Sequence, residues 1–214
     1  MSIVIGIINE KGVTISADTK LANIKIPTQY QSGLKKIFHF QLDGLNYIFG
    51  CAGPNVMELI TFLRILQKYP FTLAEGYSQK DFMKCIQTIL KDNKINSLMT
   101  LWGCISDKQP QLWMISSAQM EMLSQGYAIF PPHGTQVYAR QLMDSYFQKK
   151  HKLYNENLLD FLYGYQLELG KKSKFEFIDD DFYYHILDID NNVITPSKSR
   201  LGKEVSLNPN NKNT

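Results

Sequence analysis

The sequence predicts an α+β fold, a four-layer αββα sandwich, and two observations lead to this prediction. The predicted elements run as four strands, two helices, several strands, two helices and final strands. Two helix pairs can cover the outer faces of two stacked, mostly antiparallel sheets. The length of 214 residues, 44% of them hydrophobic, suits one compact domain with a sizeable core. We therefore expect a single domain over residues 1–206, followed by a polar, disordered tail at 207–214.

The strands are predicted from short β-rich apolar runs that turn signals separate. Asn9–Gly12 and Leu42–Gly44 each join two such runs into a hairpin. Residues 21–34 contain Pro and Gly and have little periodicity, so they are predicted to form a loop. The predicted strands cover residues 2–8, 13–18, 36–40, 45–50, 97–105, 111–116, 120–123, 127–130 and 183–188, with a short one after the turn at 190–192.

The helices are predicted from apolar residues at helical spacing and from capping signals. Pro54 and Asn55 precede the first helix, which runs to about Tyr69. Ser78, with an acid three residues later, begins the second. The third and fourth helices are predicted at about 135–149 and 155–169.

Charge and cysteine content exclude several classes of function. The net charge is only +3, from 23 basic and 20 acidic residues, and no basic run is long enough for a nucleic-acid binder. Three widely spaced cysteines fit a reducing compartment better than a disulfide framework. The four histidines are dispersed and have no metal-ligand spacing. We expect no metal and no other cofactor.

The N-terminus lacks the basic and apolar regions of a signal peptide, and no apolar run approaches the ~18 residues of a membrane helix. We therefore expect a cytoplasmic protein that binds neither membrane nor nucleic acid.

Four motifs in the first 55 residues appear in a fixed order. Ser2 opens an apolar strand, Gly12-Val13 leads to a strand that ends in Asp18-Thr19-Lys20, Lys36 precedes an apolar strand, and Gly50 to Gly53 precede the first helix. This ordered set resembles the proteasome β-subunit family of N-terminal nucleophile (Ntn) hydrolases, which includes the HslV peptidase and Anbu-type relatives.

The resemblance implies a catalytic set of Ser2, Asp18, Lys36 and Gly50. After removal of Met1, the Ser2 hydroxyl would be the nucleophile and its α-amine the base. Lys36 would favour the neutral amine and the developing alkoxide, Asp18 would hold Lys36, and the Gly50 N–H would face the oxyanion.

The same resemblance implies that Thr19, Lys20 and Gly50 border the substrate. The implied activity is that of a threonine-protease-family hydrolase that cleaves peptides or unfolded chains. The implied assembly is a homo-oligomer, a ring or other closed form, and a separate ATP-dependent unfoldase could deliver substrate.

Two departures from the family pattern leave alternatives open. Pro131 to Thr135 stand where active members have a Gly-Ser-Gly turn, with Thr135 or His133 as candidate replacements. Glu168 to Ser173 and the acidic run 179–181 do not match the Asp that usually follows the fourth helix. These departures favour a non-catalytic scaffold or assembly subunit, whereas the Asp18 and Lys36 motifs favour the enzyme. A small-molecule amidase of the same fold is a third interpretation.

Overall fold

The computed structural model describes residues 3–18, 21–22, 30–31, 35–69, 71, 77–131, 134–172 and 182–194. The predicted tail at 207–214 lies outside these residues, as does most of the predicted loop at 21–34. Within that loop, the prediction of no regular structure is wrong at four residues, because β3 (Leu21–Ala22) pairs with β4 (Tyr30–Gln31).

Two five-stranded antiparallel sheets form the centre of the described structure. The first sheet has the order β10-β1-β2-β11-β12 and the second has the order β5-β6-β7-β8-β9. The strands of the first sheet are β1 (Val4–Asn9), β2 (Gly12–Asp18), β10 (Gly126–Phe130), β11 (Phe182–Asp188) and β12 (Val193–Ile194). Those of the second are β5 (Ile37–Leu42), β6 (Leu45–Ala52), β7 (Met99–Ser106), β8 (Gln109–Ile115) and β9 (Met120–Leu123).

Tight turns set the register of both N-terminal hairpins. In the first hairpin Val4 lies opposite Ala17, and in the second Ile37 lies opposite Gly50. Asp43 and Gly44 both have positive φ, 49° and 76°, which is the backbone of a two-residue hairpin turn. The predicted hairpins are therefore present.

Two helices pack against the second sheet. These are α1 (Val56–Lys68) and α2 (Gln79–Asp92), and their N-cap residues Asn55 and Ser78 accept backbone N–H groups of the first turn. Phe62 and Phe82 are fully buried in a cluster that also contains Trp102 of β7.

The other two helices pack against the first sheet. They are α3 (Gln136–Glu156) and α4 (Leu158–Lys172). α3 extends past the predicted end at residue 149 through a kink at Lys150, whose backbone is not helical. Ile5 of β1 packs with Met143 of α3 and Phe161 of α4.

A third cluster joins the inner faces of the two sheets. Val4 and Ile15 of the first sheet pack there with Ile48, Leu101 and Leu112 of the second. The alternation along β1 explains the division, because Ile3, Ile5 and Ile7 face the helices while Val4 and Ile8 face the other sheet.

Candidate active site

Three of the predicted site residues, Asp18, Lys36 and Gly50, belong to the described structure. Asp18 is the last residue of β2, Lys36 directly precedes β5, and Gly50 lies within β6. Ser2, Thr19 and Lys20 lie outside the described residues.

Asp18 and Lys36 form a buried ion pair. Lys36 Nζ donates to Asp18 Oδ1 at 2.8 Å, and the two side chains are 1% and 0% exposed. Removing two charges from water costs several kcal/mol per ion, so such a pair needs good geometry and further hydrogen bonds. Its position is therefore strongly determined by the surrounding fold.

A backbone donor at the residue before β1 also contacts the carboxylate. The Ile3 N–H donates to the same Asp18 Oδ1 at 2.9 Å, and the Asp18 N–H donates to the Ile3 carbonyl at 3.3 Å. Ile3 directly follows Ser2 in the chain. The ion pair is therefore hydrogen-bonded to the residue next to the predicted nucleophile.

The second sheet fixes the other side of the pair. The Cys51 N–H donates to the Lys36 carbonyl at 2.9 Å, which extends the β5–β6 ladder by one bond. The lysine backbone is therefore held by β6 while its side chain reaches β2 of the other sheet. Lys36 thus connects the two sheets.

Gly50 lies where the two sheets approach closely. A Cβ atom on Gly50 would stand 2.6 Å from Val4 Cγ1 and 2.9 Å from Ile15 Cγ2, so the packing itself requires glycine. The Cys51 N–H points toward β5, and alternation then directs the Gly50 N–H toward β7, where Leu101 lies opposite. The oxyanion role of Gly50 stays a prediction.

Gly53 closes the motif before α1, but the sequence indicated no role of its own for it. It follows the last residue of β6, and a Cβ atom there would stand 2.8 Å from the Ser97 carbonyl oxygen. Gly53 and Ala52 line a cavity of about 880 Å³ beyond the strand end. Gly53 differs from Gly50 in its position relative to β6: Gly50 lies within the strand, whereas Gly53 follows its last residue.

The two stretches that depart from the family pattern are partly described. Thr135 is buried at the entry to α3, where its carbonyl accepts the Ala139 N–H at 2.8 Å. Glu168 lies in α4. His133, Ser173 and the run 179–181 lie outside the described residues.

His185 is a buried titratable group close to the Lys36 segment. It lies on β11 opposite Ile15 and is 3% exposed. Burial first, and then the charges of Lys35 and His39, lower its pKa to about 4, while a hydrogen bond to the Ile37 backbone acts in the opposite direction. The imidazole is therefore neutral at pH 7. No sequence pattern indicated this, since the four histidines are dispersed.

The described residues contain neither a cluster of metal-ligating side chains nor a helix that could span a membrane. No group of three or more His, Cys, Asp or Glu side chains is placed to hold a metal ion there. Among the described helices, none combines the length and the apolar character needed to cross a membrane.

Comparison with known proteins shows what the fold resembles. No protein-family model matches the sequence, and no curated protein matches it. Solved structures do match over nearly the whole chain. An Anbu Gly-1 mutant from Hyphomicrobium sp. strain MC1 has a TM-score of 0.72 at 11% identity, over 95% of this chain and 89% of its own.

Two further Anbu structures agree with it. Anbu, described as an ancestral beta-subunit, from Yersinia bercovieri has a TM-score of 0.67 at 12% identity, over 95% of this chain and 88% of its own. The helical assembly of the Anbu complex from Pseudomonas aeruginosa has a TM-score of 0.68 at 11% identity, over 94% and 88%. The chain therefore has a mixed α/β fold of two antiparallel sheets with helices. Anbu proteins share this fold.

Proposed function

We propose that the chain is a proteasome-like Ntn hydrolase that cleaves peptide or amide bonds through Ser2 after removal of Met1. The observation that carries the proposal is the buried Asp18–Lys36 ion pair, whose carboxylate also accepts the Ile3 N–H. The pair joins both sheets at the residue that follows Ser2.

The proposed reaction uses the free N-terminus as its base. The Ser2 hydroxyl attacks the substrate carbonyl carbon, and its proton passes to the neutral α-amine, directly or through water. The protonated amine then gives the proton to the leaving nitrogen as the C–N bond breaks. Water hydrolyses the resulting ester, which releases the carboxylic acid and restores Ser2.

Lys36 would act through its fixed positive charge. A cation near the N-terminus favours the neutral form of the α-amine and stabilises the alkoxide that forms on Ser2. Asp18 would keep the ammonium group in place. A buried pair that served stability alone is the simpler interpretation, but apolar residues of similar volume often stabilise a core at least as well.

Two glycines are candidates for the oxyanion donor. Gly50 is the residue that the motif indicates, although its N–H is directed toward β7. Gly53 follows the end of β6 and borders the cavity of about 880 Å³. Gly53 lies beyond the last ladder pair, Ala52 with Met99, so we include its N–H beside that of Gly50 in the proposal.

Further parts of the proposal concern Thr19 and Lys20, the layering and the assembly. Thr19 and Lys20 would border the substrate because they follow Asp18 directly.

The three hydrophobic clusters would be the three interfaces of a four-layer αββα sandwich. The Pseudomonas aeruginosa relative forms a helical assembly, which supports a homo-oligomer here. Peptide or unfolded-protein substrates, a separate unfoldase and a cytoplasmic location complete the proposal.

A non-catalytic scaffold subunit is the second candidate. The stretch 131–135 favours it, because no Ser stands there to support the amine and Thr135 is buried at the entry to α3. In that case the ion pair would only stabilise the fold.

Intact mass spectrometry separates the two candidates. The purified protein is measured with and without a β-lactone or vinyl-sulfone peptide probe, beside a Ser2→Ala variant. Loss of Met1 and one adduct that Ser2→Ala abolishes would support the hydrolase. Retained Met1, or a free Ser2 that neither probe modifies, would overturn it in favour of the scaffold.

A further inference from the structure

A cavity lies among the described residues near the ends of strands from both sheets. It has a volume of about 880 Å³, within the range of ligand sites. Its walls come from the ends of β6 and β8, from the start of β7, from β9 and β10 and from α3. The cavity therefore lies between the layers and is not a surface depression of one element.

The cavity lies near the Asp18–Lys36 pair, and two of its lining residues are connected to the pair through neighbouring residues. Ala52, which lines it, directly follows Cys51, whose N–H is bonded to the Lys36 carbonyl. Phe130, which also lines it, pairs with Val4, the residue after Ile3. The cavity is therefore close in the fold to the residue that follows Ser2.

The chemistry of the walls is mainly apolar. Met99, Met114, Leu123 and Phe130 contribute to the lining, and methionine side chains adapt to ligands of different shape. The charged lining residues, Glu121 and Arg140, are both exposed. This combination suits an apolar segment whose polar backbone remains near water.

Two strand edges supply backbone groups beside the apolar walls. In the described structure β10 pairs with β1 alone and β9 with β8 alone, so each has an unpaired edge. An extended peptide binds such edges through its main chain and places alternate side chains in pockets. The wall at β10 is held in place, because the Tyr127 hydroxyl donates to Asp144 and its ring stacks on Phe147.

We propose that this cavity binds an extended, mainly apolar peptide segment of the substrate, next to the bond that is cleaved. The inference rests on the proposed function. It assigns substrate preference to Met99, Met114, Leu123 and Phe130, which lie outside the predicted catalytic set.

The test measures binding separately from cleavage. Fluorescence anisotropy follows a labelled apolar peptide of Leu, Phe and Ala and a matched polar peptide of Ser, Lys and Glu, both added to full-length Ser2→Ala protein. We expect the apolar peptide to bind at least about tenfold more tightly. Met99→Glu should weaken that binding by about tenfold or more, because it puts a carboxylate into the apolar space.

Met122→Glu is the matched control. Met122 is 44% exposed against 36% for Met99, and it lies on β9 outside the cavity lining. It should change affinity less than about twofold. Thermal unfolding of each variant shows that the folded state is retained, and Met99→Lys provides a second charged variant if Met99→Glu does not fold.

The outcomes separate this inference from the proposed function. Equal binding of both peptides, or equal effects of Met99→Glu and Met122→Glu, would overturn the inference even if the Ser2 probe reacts. Selective binding that Met99→Glu removes would support it even if Ser2 proves unreactive, with the cavity then serving a scaffold that binds peptides.

Discussion

At the scale of single residues, the Asp18–Lys36 pair has a matched counterpart on the surface of the same chain. Lys84 Nζ lies 3.0 Å from Asp81 Oδ1, close to the 2.8 Å of the buried pair, but its side chains are 57% and 46% exposed. The same charges at nearly the same distance therefore differ mainly in solvation. Exposed pairs contribute about 0–1 kcal/mol, whereas removing one partner of a buried pair costs about 3–5 kcal/mol.

The first prediction compares these two pairs. Lys36→Met should lower the free energy of unfolding by about 3–5 kcal/mol, because it leaves a buried carboxylate without its cation. Lys84→Met should lower it by less than about 1 kcal/mol. Urea unfolding at pH 7 measures both, and Lys36→Met should also lose adduct formation with the Ser2 probe.

A double variant distinguishes a pairwise interaction from general damage to the core. Asp18→Asn with Lys36→Met removes both charges and should be more stable than Lys36→Met alone. Equal losses from Lys36→Met and Lys84→Met would contradict the buried pair described above.

At the scale of elements, β11 brings a neutral histidine against the segment that carries Lys36. The pKa of His185 is about 4 in the folded chain, against an ordinary value of 6.5. Unfolding therefore takes up a proton between these two pH values, so the stability that depends on the neutral imidazole is complete above about pH 6.5 and is lost as the pH falls toward 4.

The second prediction concerns that pH dependence. Between pH 7 and pH 5 the wild-type chain should lose about 2 kcal/mol more of its free energy of unfolding than His185→Gln, which cannot take up the proton. Denaturant unfolding at both pH values measures the difference. Parallel losses in the two proteins would show that His185 does not carry this dependence.

At the scale of the whole molecule, glycines on facing strands let the two sheets approach. A Cβ atom on Gly6 would stand 2.8 Å from Leu112 Cδ2, and one on Gly103 would stand 2.7 Å from Val13 Cγ1. Gly50 has the same role beside the ion pair. The contact between Lys36 beside the second sheet and Asp18 in the first depends on this close approach of the two sheets.

The third prediction tests the close approach away from the candidate site. Gly103→Ala should destabilise the fold by about 1–3 kcal/mol, because Val13 and Ile48 must move to admit the methyl group. Gly44→Ala is the control, since no atom lies within 4 Å of a Cβ placed there. Only its φ of 76° opposes the change, so the free energy of unfolding should fall by about 1 kcal/mol. Thermal and urea unfolding compare them, and a Gly103→Ala variant as stable as wild type would refute the packing argument.

Local patterns in the sequence were sufficient for the two hairpins and for the starts of α1 and α2. Alternation, the Asp43-Gly44 turn and the Asn55 and Ser78 caps all act within a few residues, so neighbouring side chains decide these structures. The loop prediction failed at β3 and β4, two-residue strands that pair with each other and are too short to show a periodic pattern. The end of α3 was missed because the helix continues through the kink at Lys150.

The sequence by itself determined the order of the longer elements and a mixed α/β fold, since periodicity and caps are local signals. Short motifs, through a family resemblance, were enough to choose Asp18 and Lys36 as candidate residues. Only the tertiary structure decided that these two residues share a buried bond and that His185 lies beside their segment. It also decided that Gly53 and Met99 line one cavity. These relations join residues far apart in the chain, and their distances and solvation exist only after the two sheets have packed together.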